Sequence, residues 1–365
     1  MKAITILGTR PEIIKLSPLI PFLEREFDHT IIHTGQHYDV DMDKCFFEDL
    51  QLPQPKYNLA VGSAAPGKQT AAMLEKIESV LAAEKPDLVI IHGDTNSALA
   101  GALAAVKMYL NVAHVEAGCR SFNKRVPEEA NRVMIDHISD HLFAPDKVAV
   151  SNLVNEGIPE SKIYNFGSTA FEAVLRNKEY VERRSLKELE HTQKRYILVT
   201  LHRADNTETP ANLKSILAAL NLLAEETEII FPIHPRTKKV ILESSIALNE
   251  RIKVLKPQSY LSFLSLLANC TFCISDSGGI QEEALALNIP CLIPRQETEW
   301  KRLVEAGKNI LVGTGTKKIV ETARVLLHNE FELQRIKDIK YPFEVNVSEK
   351  IIEVLKEIKN DSQYS

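Results

Sequence analysis

Short apolar runs alternate with stretches of helical periodicity along almost the whole chain. Ala3–Leu7 reads as a buried strand, Pro11–Phe27 as one helix and His29–Thr34 as the next strand. After an irregular patch, Gln69–Glu84 has helical spacing and stops before Pro86. Asp87–His92 is a strand, Asn96–Tyr109 an Ala-rich helix, Val112–Glu116 a strand and Glu128–Ser139 a helix. Leu142–Ala144, Val148–Glu156 and Ile163–Phe166 continue the alternation. Residues 171–194 then turn into a charged helix, expected to be a linker. A second series follows: Tyr196–Thr200, a helix from Asn212, Glu228–Pro232, Ile252–Leu255, a helix from Tyr260, Thr271–Ile274 and a helix from Ile280. Pro290–Pro294, Asn309–Val312 and a helix from Lys317 complete it. Apolar strands between helices predict parallel sheets covered on both faces. The expected architecture is α/β, with two Rossmann-like, doubly wound domains (residues 1–170 and 195–345) facing a cleft. A last helix within 346–365 is open to either domain, packing back on the first being one of the two options.

In open parallel sheets, ligands bind beyond the carboxyl ends of the strands, at a topological switch point. The informative residues are those just past each strand: Gly8-Thr9-Arg10, Gly93-Asp94-Thr95, Glu116-Ala117-Gly118, His202-Arg203, His234-Pro235-Arg236 and Ser275–Gly279. Polar side chains of catalytic type gather there in both halves. The stretch SDSGGIQEEA, Ser275–Ala284, places small residues at a helix start, the local geometry of a phosphate site made from free backbone N–H groups. Two carboxylates, Glu282 and Glu283, follow almost at once, which a bare anion site would not want.

Length and composition narrow the possibilities. A chain of 365 residues, 44% hydrophobic and 25% charged, fits two globular domains. The net charge of −5, with no Lys/Arg stripe, argues against nucleic acid as a partner. No apolar run is long enough to cross a bilayer, and the N-terminus MKAITILGTRPE lacks signal-peptide features, so a cytoplasmic protein is expected. Five scattered cysteines include one C-x-x-C, Cys270–Cys273, read here as buried free thiols. GSAAPGKQ, Gly62–Gln69, approaches a P-loop but ends in Gln69 where a hydroxyl is needed. His137 and His141 have zinc-helix spacing without a third ligand nearby. No G-x-G-x-x-G is present, so no nicotinamide or flavin cofactor is expected.

The ordered set GTRPEIIKLSPL, HTGQHYD, PDLVIIHGDTNSALAGALAA, VAHVEAGCRSFN, VPEEANR, TLHRADN, FPIHPRT, PQSYLSFL and SDSGGIQEEA spans roughly residues 1–315. It resembles the non-hydrolysing UDP-N-acetylglucosamine 2-epimerases, which share the two-domain GT-B and glycogen phosphorylase-like architecture. The resemblance implies interconversion of UDP-GlcNAc and UDP-ManNAc without cofactor or metal. UDP is expelled across C1–C2 to leave a 2-acetamidoglucal, then added back after protonation of the other face of C2. Such a site must stabilise a leaving diphosphate and offer proton donors and acceptors to C2. By resemblance Asp94, Glu116 and Glu128 are the catalytic carboxylates and His202 the histidine that helps UDP leave. Neighbouring carboxylates cannot all ionise at their ordinary values, so one can serve as acid while another serves as base; which is which stays open. Glu128 follows Pro127 at a helix start, where an acid is favoured in any case. Arg10 and Lys15 resemble cations at the diphosphate, and Gln258 and Phe263 resemble uracil contacts. Ser277, Gly278 and Gly279 would meet the phosphates, with Glu283 accepting the ribose hydroxyls a turn further on. Glu282 is expected on the helix surface or as a dipole partner. A homodimer is the family habit.

Some positions depart from the pattern. Gln36–Met42 replaces a segment tied in the family to activation by a second substrate molecule. Glu297-Thr298-Glu299-Trp300 and Tyr341-Pro342-Phe343-Glu344 replace two other family motifs. HTGQHYD, RSFN, TLHRADN and ETEW also resemble a sister branch acting on UDP-2,3-diacetamido-2,3-dideoxyglucuronate, whereas GTRPE resembles the N-acetylglucosamine branch. A GT-B glycosyltransferase, a hydrolysing epimerase, a nucleotide-sugar binding protein and a P-loop NTPase are the readings from other classes.

Overall fold

The computed structural model describes residues 1–36, 46–123, 125–188, 195–233, 235–243, 246–298, 300–340 and 344–361. His37–Met42, His234, Glu299 and Tyr341–Phe343 of the motifs above lie outside the described residues. The chain divides into two units, Met1–Ala173 with Phe343–Ser365, and Val174–Pro342. The division falls inside the helix Thr169–Glu188.

The first unit is built on strands β1 (Lys2–Leu7), β2 (Asp28–His33), β3 (Tyr57–Asn58), β4 (Leu88–His92), β5 (Asn111–Val115), β6 (His141–Ala144) and β7 (Ile163–Asn165). They form one parallel sheet in the order β3-β2-β1-β4-β5-β6-β7, so the winding reverses between β1 and β4. Ile4, Ile6, Val89 and Ile91 bury their side chains in a core shared with Ala98, Ala102 and Ala105 of the helix Asn96–Lys107. A row of alanines lets that helix lie close on the sheet at full helical propensity. The single helix expected over Pro11–Phe27 is two, Arg10–Leu16 and Ile20–Glu26. Pro18 has no N–H to continue the ladder, and the Ser17 hydroxyl donates to the Ile14 carbonyl (2.7 Å), so a turn intervenes. Strand β3, two residues pairing with β2 alone, is too short for periodicity to mark. The last helix, Val347–Asp361, joins this unit: the Ser348 N–H and hydroxyl donate to Glu172 (2.8 and 2.7 Å) and Lys356 pairs with Glu26 (2.6 Å).

The second unit repeats the plan with β8 (Tyr196–Thr200), β9 (Glu228–Pro232), β10 (Ile252–Leu255), β11 (Phe272–Ser275), β12 (Cys291–Ile293) and β13 (Asn309–Leu311). The order β10-β9-β8-β11-β12-β13 places its reversal between β8 and β11. Ile197, Val199, Phe231, Phe272 and Ile274 pack with Leu213, Leu217 and Leu220 of the helix Pro210–Ala224. Helices Pro235–Glu243, Lys301–Glu305 and Glu330–Lys337 were not marked by the pattern. Each has nine residues or fewer, and the third follows Thr316–His328 after a single residue, Asn329, which caps it.

Three sequence features resolve structurally. Gln69 is buried and donates its amide to the carbonyls of Gly62 (2.8 Å) and Gln36 (3.0 Å), so it braces the loop before its helix. His137 lies on the helix Pro127–Ile138 whereas His141 opens β6, so no single helix carries both. Cys270 and Cys273 are buried free thiols. Among the described residues, no helix is long and apolar enough to cross a membrane.

Candidate active site

The winding reversal of the first unit is held by one buried acid. Glu12, on the helix Arg10–Leu16, accepts from the Gly8 N–H (3.0 Å) and the Thr9 hydroxyl (2.8 Å) past β1. Its other oxygen accepts from the Thr95 hydroxyl (2.7 Å) past β4, and that hydroxyl also accepts from the Ala98 N–H (3.0 Å) as the N-cap of the next helix. Gly8 is required here: a Cβ would lie 1.9 Å from the Thr34 hydroxyl and 2.2 Å from that of Ser97. Burial pushes the Glu12 carboxyl up to about 7 despite the donors from Gly8, Thr9 and Thr95. Its folded value lies above its unfolded one, so the folded state binds the extra proton and stability falls as pH rises from about 4.5 to about 7. Glu12→Gln is therefore expected to gain stability relative to the wild type across that window, by on the order of 3 kcal/mol at pH 8 compared with pH 4.5. Urea unfolding of both proteins at pH 4.5 and 8 reads this directly; a difference that stays constant with pH would refute it.

Around this staple the structure brings together Asp94, Glu116 and Lys15. The Lys15 ammonium donates to Glu116 at 2.5 Å, and His92 Nε2 lies 3.6 Å from the same carboxylate oxygen. Burial works against the Glu116 charge, but Lys15 overrides it and holds the carboxyl down to about 2. Burial also keeps the His92 ring neutral, pushing it down to about 3. Glu116 itself has φ +70°, a left-handed conformation uncommon for a side chain of its size. Two residues on, Gly118 has φ +81°, and a Cβ there would meet the Ala149 carbonyl oxygen at 2.4 Å. Asp94 behaves oppositely to Glu116. Burial raises its carboxyl, and the nearby Glu116 charge adds to the rise, against the pull of Arg132.

The turn carrying Glu116 stands on a buried charge cluster. Asp136 accepts from His114 Nδ1 (2.7 Å) and the Gly118 N–H (3.1 Å), and it pairs with Arg120 (2.7 Å). Arg120 forks onto Glu156 (2.8 and 2.7 Å) and donates to the Cys119 carbonyl (2.8 Å). Glu128 is placed differently. It is exposed in the first turn of the helix Pro127–Ile138. Its neighbour Glu129 is the buried one, accepting from the N–H groups of Ser121 (2.9 Å) and Phe122 (2.7 Å). Arg10 is partly buried, its guanidinium 5.7 Å from the centre of the Phe46 ring.

In the second unit the reversal is again organised by one acid. Asp276, fully buried past β11, accepts from the N–H groups of His202 (3.1 Å) and Arg203 (3.2 Å) past β8. It also accepts from the Asn206 amide (3.0 Å) and lies 3.1 Å from His202 Nδ1, so it fixes the His202 ring. Burial opposes the Asp276 charge, yet the His202 contact and the other donors hold its carboxyl below the usual range. Ser277 occupies the N-cap position of the helix Gly278–Ala286 without a side-chain capping bond, and a Cβ on Gly279 would meet nothing within 4 Å, so that helix entrance stands open. Gln258 and Phe263 are partly buried on the segment after β10, the Gln258 amide donating to the Lys256 carbonyl (2.7 Å). Glu283 is partly buried, and its charge acts on the buried Tyr260 hydroxyl. Glu282 corrects its expectation. It is fully buried rather than on the helix surface, because this helix packs among neighbours on more than one side.

Arg132, Glu129, His92, Glu12 and Asp136 are not singled out by the sequence, and Asp276 is singled out only as part of Ser275–Gly279. Asp276 was legible in principle, since an acid just past a buried strand stands where the strand ends meet. Arg132 and Glu129 carried only the i,i+3 spacing of an ordinary helix-surface pair.

A solved structure of the Methanocaldococcus jannaschii UDP-GlcNAc 2-epimerase, in complex with UDP-GlcNAc and UDP, is similar to this chain. The TM-score is 0.89 at 46% identity, covering 98% of this chain and 99% of that one. Fold and site thus define an isomerase built from two Rossmann-like, GT-B-type units. A family model described as UDP-N-acetylglucosamine 2-epimerase matches residues 23–356, and the chain belongs to that family. A UDP-N-acetylglucosamine 2-epimerase of M. jannaschii is 48% identical over 341 residues, 90% of this chain and 93% of the relative. A UDP-2,3-diacetamido-2,3-dideoxy-D-glucuronate 2-epimerase of Pseudomonas aeruginosa is 42% identical over 333 residues, 90% and 92% of the two chains.

Proposed function

We propose that the chain interconverts UDP-N-acetylglucosamine and UDP-N-acetylmannosamine by eliminating UDP and adding it back. The observation that carries this is the opposite displacement of two neighbouring carboxyls at one winding reversal: Lys15 holds Glu116 down, and burial lifts Asp94. Groups driven apart in this way take different parts in proton transfer. Glu116, ionised at rest, takes the C2 hydrogen of the gluco substrate. A carboxylate suffices because the breaking C1–O bond leaves an electron-poor centre beside C2. Asp94, whose carboxyl burial raises, delivers a proton to the other face of C2 before UDP re-adds, and exchange with solvent restores both carboxyls. Glu128, exposed at the start of the neighbouring helix, is the third carboxylate of the proposal. In the second unit, His202 with its ring fixed by Asp276 assists the departing diphosphate. Ser277, Gly278 and Gly279 hold the phosphates, Glu283 the ribose, and Gln258 and Phe263 the uracil. Arg10 and Lys15 add positive charge for the diphosphate. The enzyme acts as a cytoplasmic homodimer and supplies an N-acetylated manno sugar nucleotide for surface polysaccharide.

The test is proton NMR of the protein with UDP-N-acetylglucosamine in D₂O. The manno epimer should appear with deuterium at C2 and without free amino sugar. A silent spectrum would overturn this substrate, and the diacetamido-glucuronate nucleotide would be tried next. Free N-acetylmannosamine would overturn the non-hydrolysing chemistry.

A further inference from the structure

One helix grips Asp94 twice. Asn131 on Pro127–Ile138 donates its amide to the Asp94 carbonyl (2.8 Å), fixing the main chain. Arg132 beside it donates Nε (2.8 Å) and brings Nη2 (2.5 Å) to the side chain. Both nitrogens meet the same oxygen, Oδ2. Oδ1 therefore differs from Oδ2 in having no hydrogen bond among the described residues. The third guanidinium nitrogen, Nη1, donates to Glu129 at 2.8 Å. Glu129 is in turn fixed by the Ser121 N–H (2.9 Å), the Ser121 hydroxyl (3.0 Å) and the Phe122 N–H (2.7 Å). Phe122, with φ +58°, is held in a backbone conformation rare for an aromatic residue, as expected of a loop tied down from outside.

We propose that Arg132 is a positioning residue for the epimerisation: by occupying Oδ2 of Asp94 with two nitrogens it dedicates Oδ1 to carrying the proton, and through Glu129 it ties that orientation to the loop 119–123. A guanidinium does this because it is a rigid planar fork; an ammonium of the same charge has no such geometry. The inference rests on the proton-transfer role proposed above for Asp94. Besides Arg132, the charged groups acting on Asp94 are Glu116 and Lys15, and neither is touched by the variants that follow.

Two variants separate charge from geometry. Arg132→Gln removes both, and Arg132→Lys keeps the charge alone. The Asp94 carboxyl is followed by ¹³C NMR titration of the substrate-free protein, its resonance identified by its loss in Asp94→Asn. Epimerisation is followed as kcat and KM. Arg132→Gln is expected to move the Asp94 titration up by about one unit or more and to lower kcat about 100-fold. Arg132→Lys should leave the titration close to wild type yet still lower kcat at least about tenfold, with KM little changed in both. Full kcat in Arg132→Lys would overturn the proposal in favour of charge alone. An unmoved Asp94 titration in Arg132→Gln would overturn the contact itself. If the wild-type protein epimerises no UDP-sugar, the proposed function and the kcat claim fall together, and the titration alone decides whether Arg132 sets the state of Asp94.

Discussion

Asp94→Asn is expected to turn the enzyme from an epimerase into an eliminase. Given UDP-N-acetylglucosamine, it should release UDP and 2-acetamidoglucal while forming the manno epimer at least about 100-fold more slowly, because proton removal survives and delivery to the other face does not. Glu116→Gln should lose both steps, with no glucal and no deuterium at C2 above about 0.1% of the wild-type rate. The contrast follows from the resting states: Glu116 is held ionised by Lys15 at 2.5 Å, and burial lifts Asp94 towards protonation. Measuring UDP release and C2 deuteration together decides it. Equal, complete loss in both variants would remove the assignment of acid and base, and glucal from Glu116→Gln but not Asp94→Asn would reverse it.

Asp136→Ala is expected to cost about 3–5 kcal/mol of folding free energy, among the largest losses available to a single substitution here. Asp136 and the Arg120 side chain are fully buried, and removing the acid leaves the guanidinium with Glu156 and the Cys119 carbonyl, with the Gly118 N–H and His114 Nδ1 stripped of their acceptor. For a unit of this size the loss corresponds to a fall in Tm on the order of 10 °C. Glu226→Ala is the control. Glu226 pairs with Arg324 and His328, whose side chains are half or more exposed, and its loss should change stability by about 1 kcal/mol or less. Thermal unfolding of the three proteins settles the comparison, and similar melting of Asp136→Ala and Glu226→Ala would show that the buried cluster contributes little.

The sheets were legible because strands covered on both faces are written as unbroken apolar runs, as in LVIIH and YILVT. The residues just past those strands were legible for the same reason, since a polar residue closing such a run stands out. Asp94, Glu116 and His202 were located in that way, although their roles came only from resemblance. Short or interrupted elements were less visible. Pro18 splits a helix whose apolar spacing runs straight through it, and β3 has two residues. Least visible were the residues that hold the site. Glu129 and Arg132 look like a helix-surface pair until the loop at Ser121–Phe122 folds over them. Glu12 looks like any first-turn acid until Thr95, 83 positions away, is seen to be its partner. Such contacts depend on which strands lie side by side, and periodicity carries no register between distant segments.

Four acids (Glu12, Glu129, Asp136 and Asp276) share one arrangement. Each reaches across to accept from backbone N–H groups of a neighbouring turn, so that turn's shape is set partly from outside it. The intervening side chains are thereby released from architectural duty. Phe122, Asn123 and Arg125 are exposed on such a loop, and Ala204 and Asp205 are exposed at the start of the short helix that follows another. Substitutions at these exposed positions leave the buried anchors in place. A scaffold so arranged leaves such exposed positions free to vary while the anchored turns keep their shape.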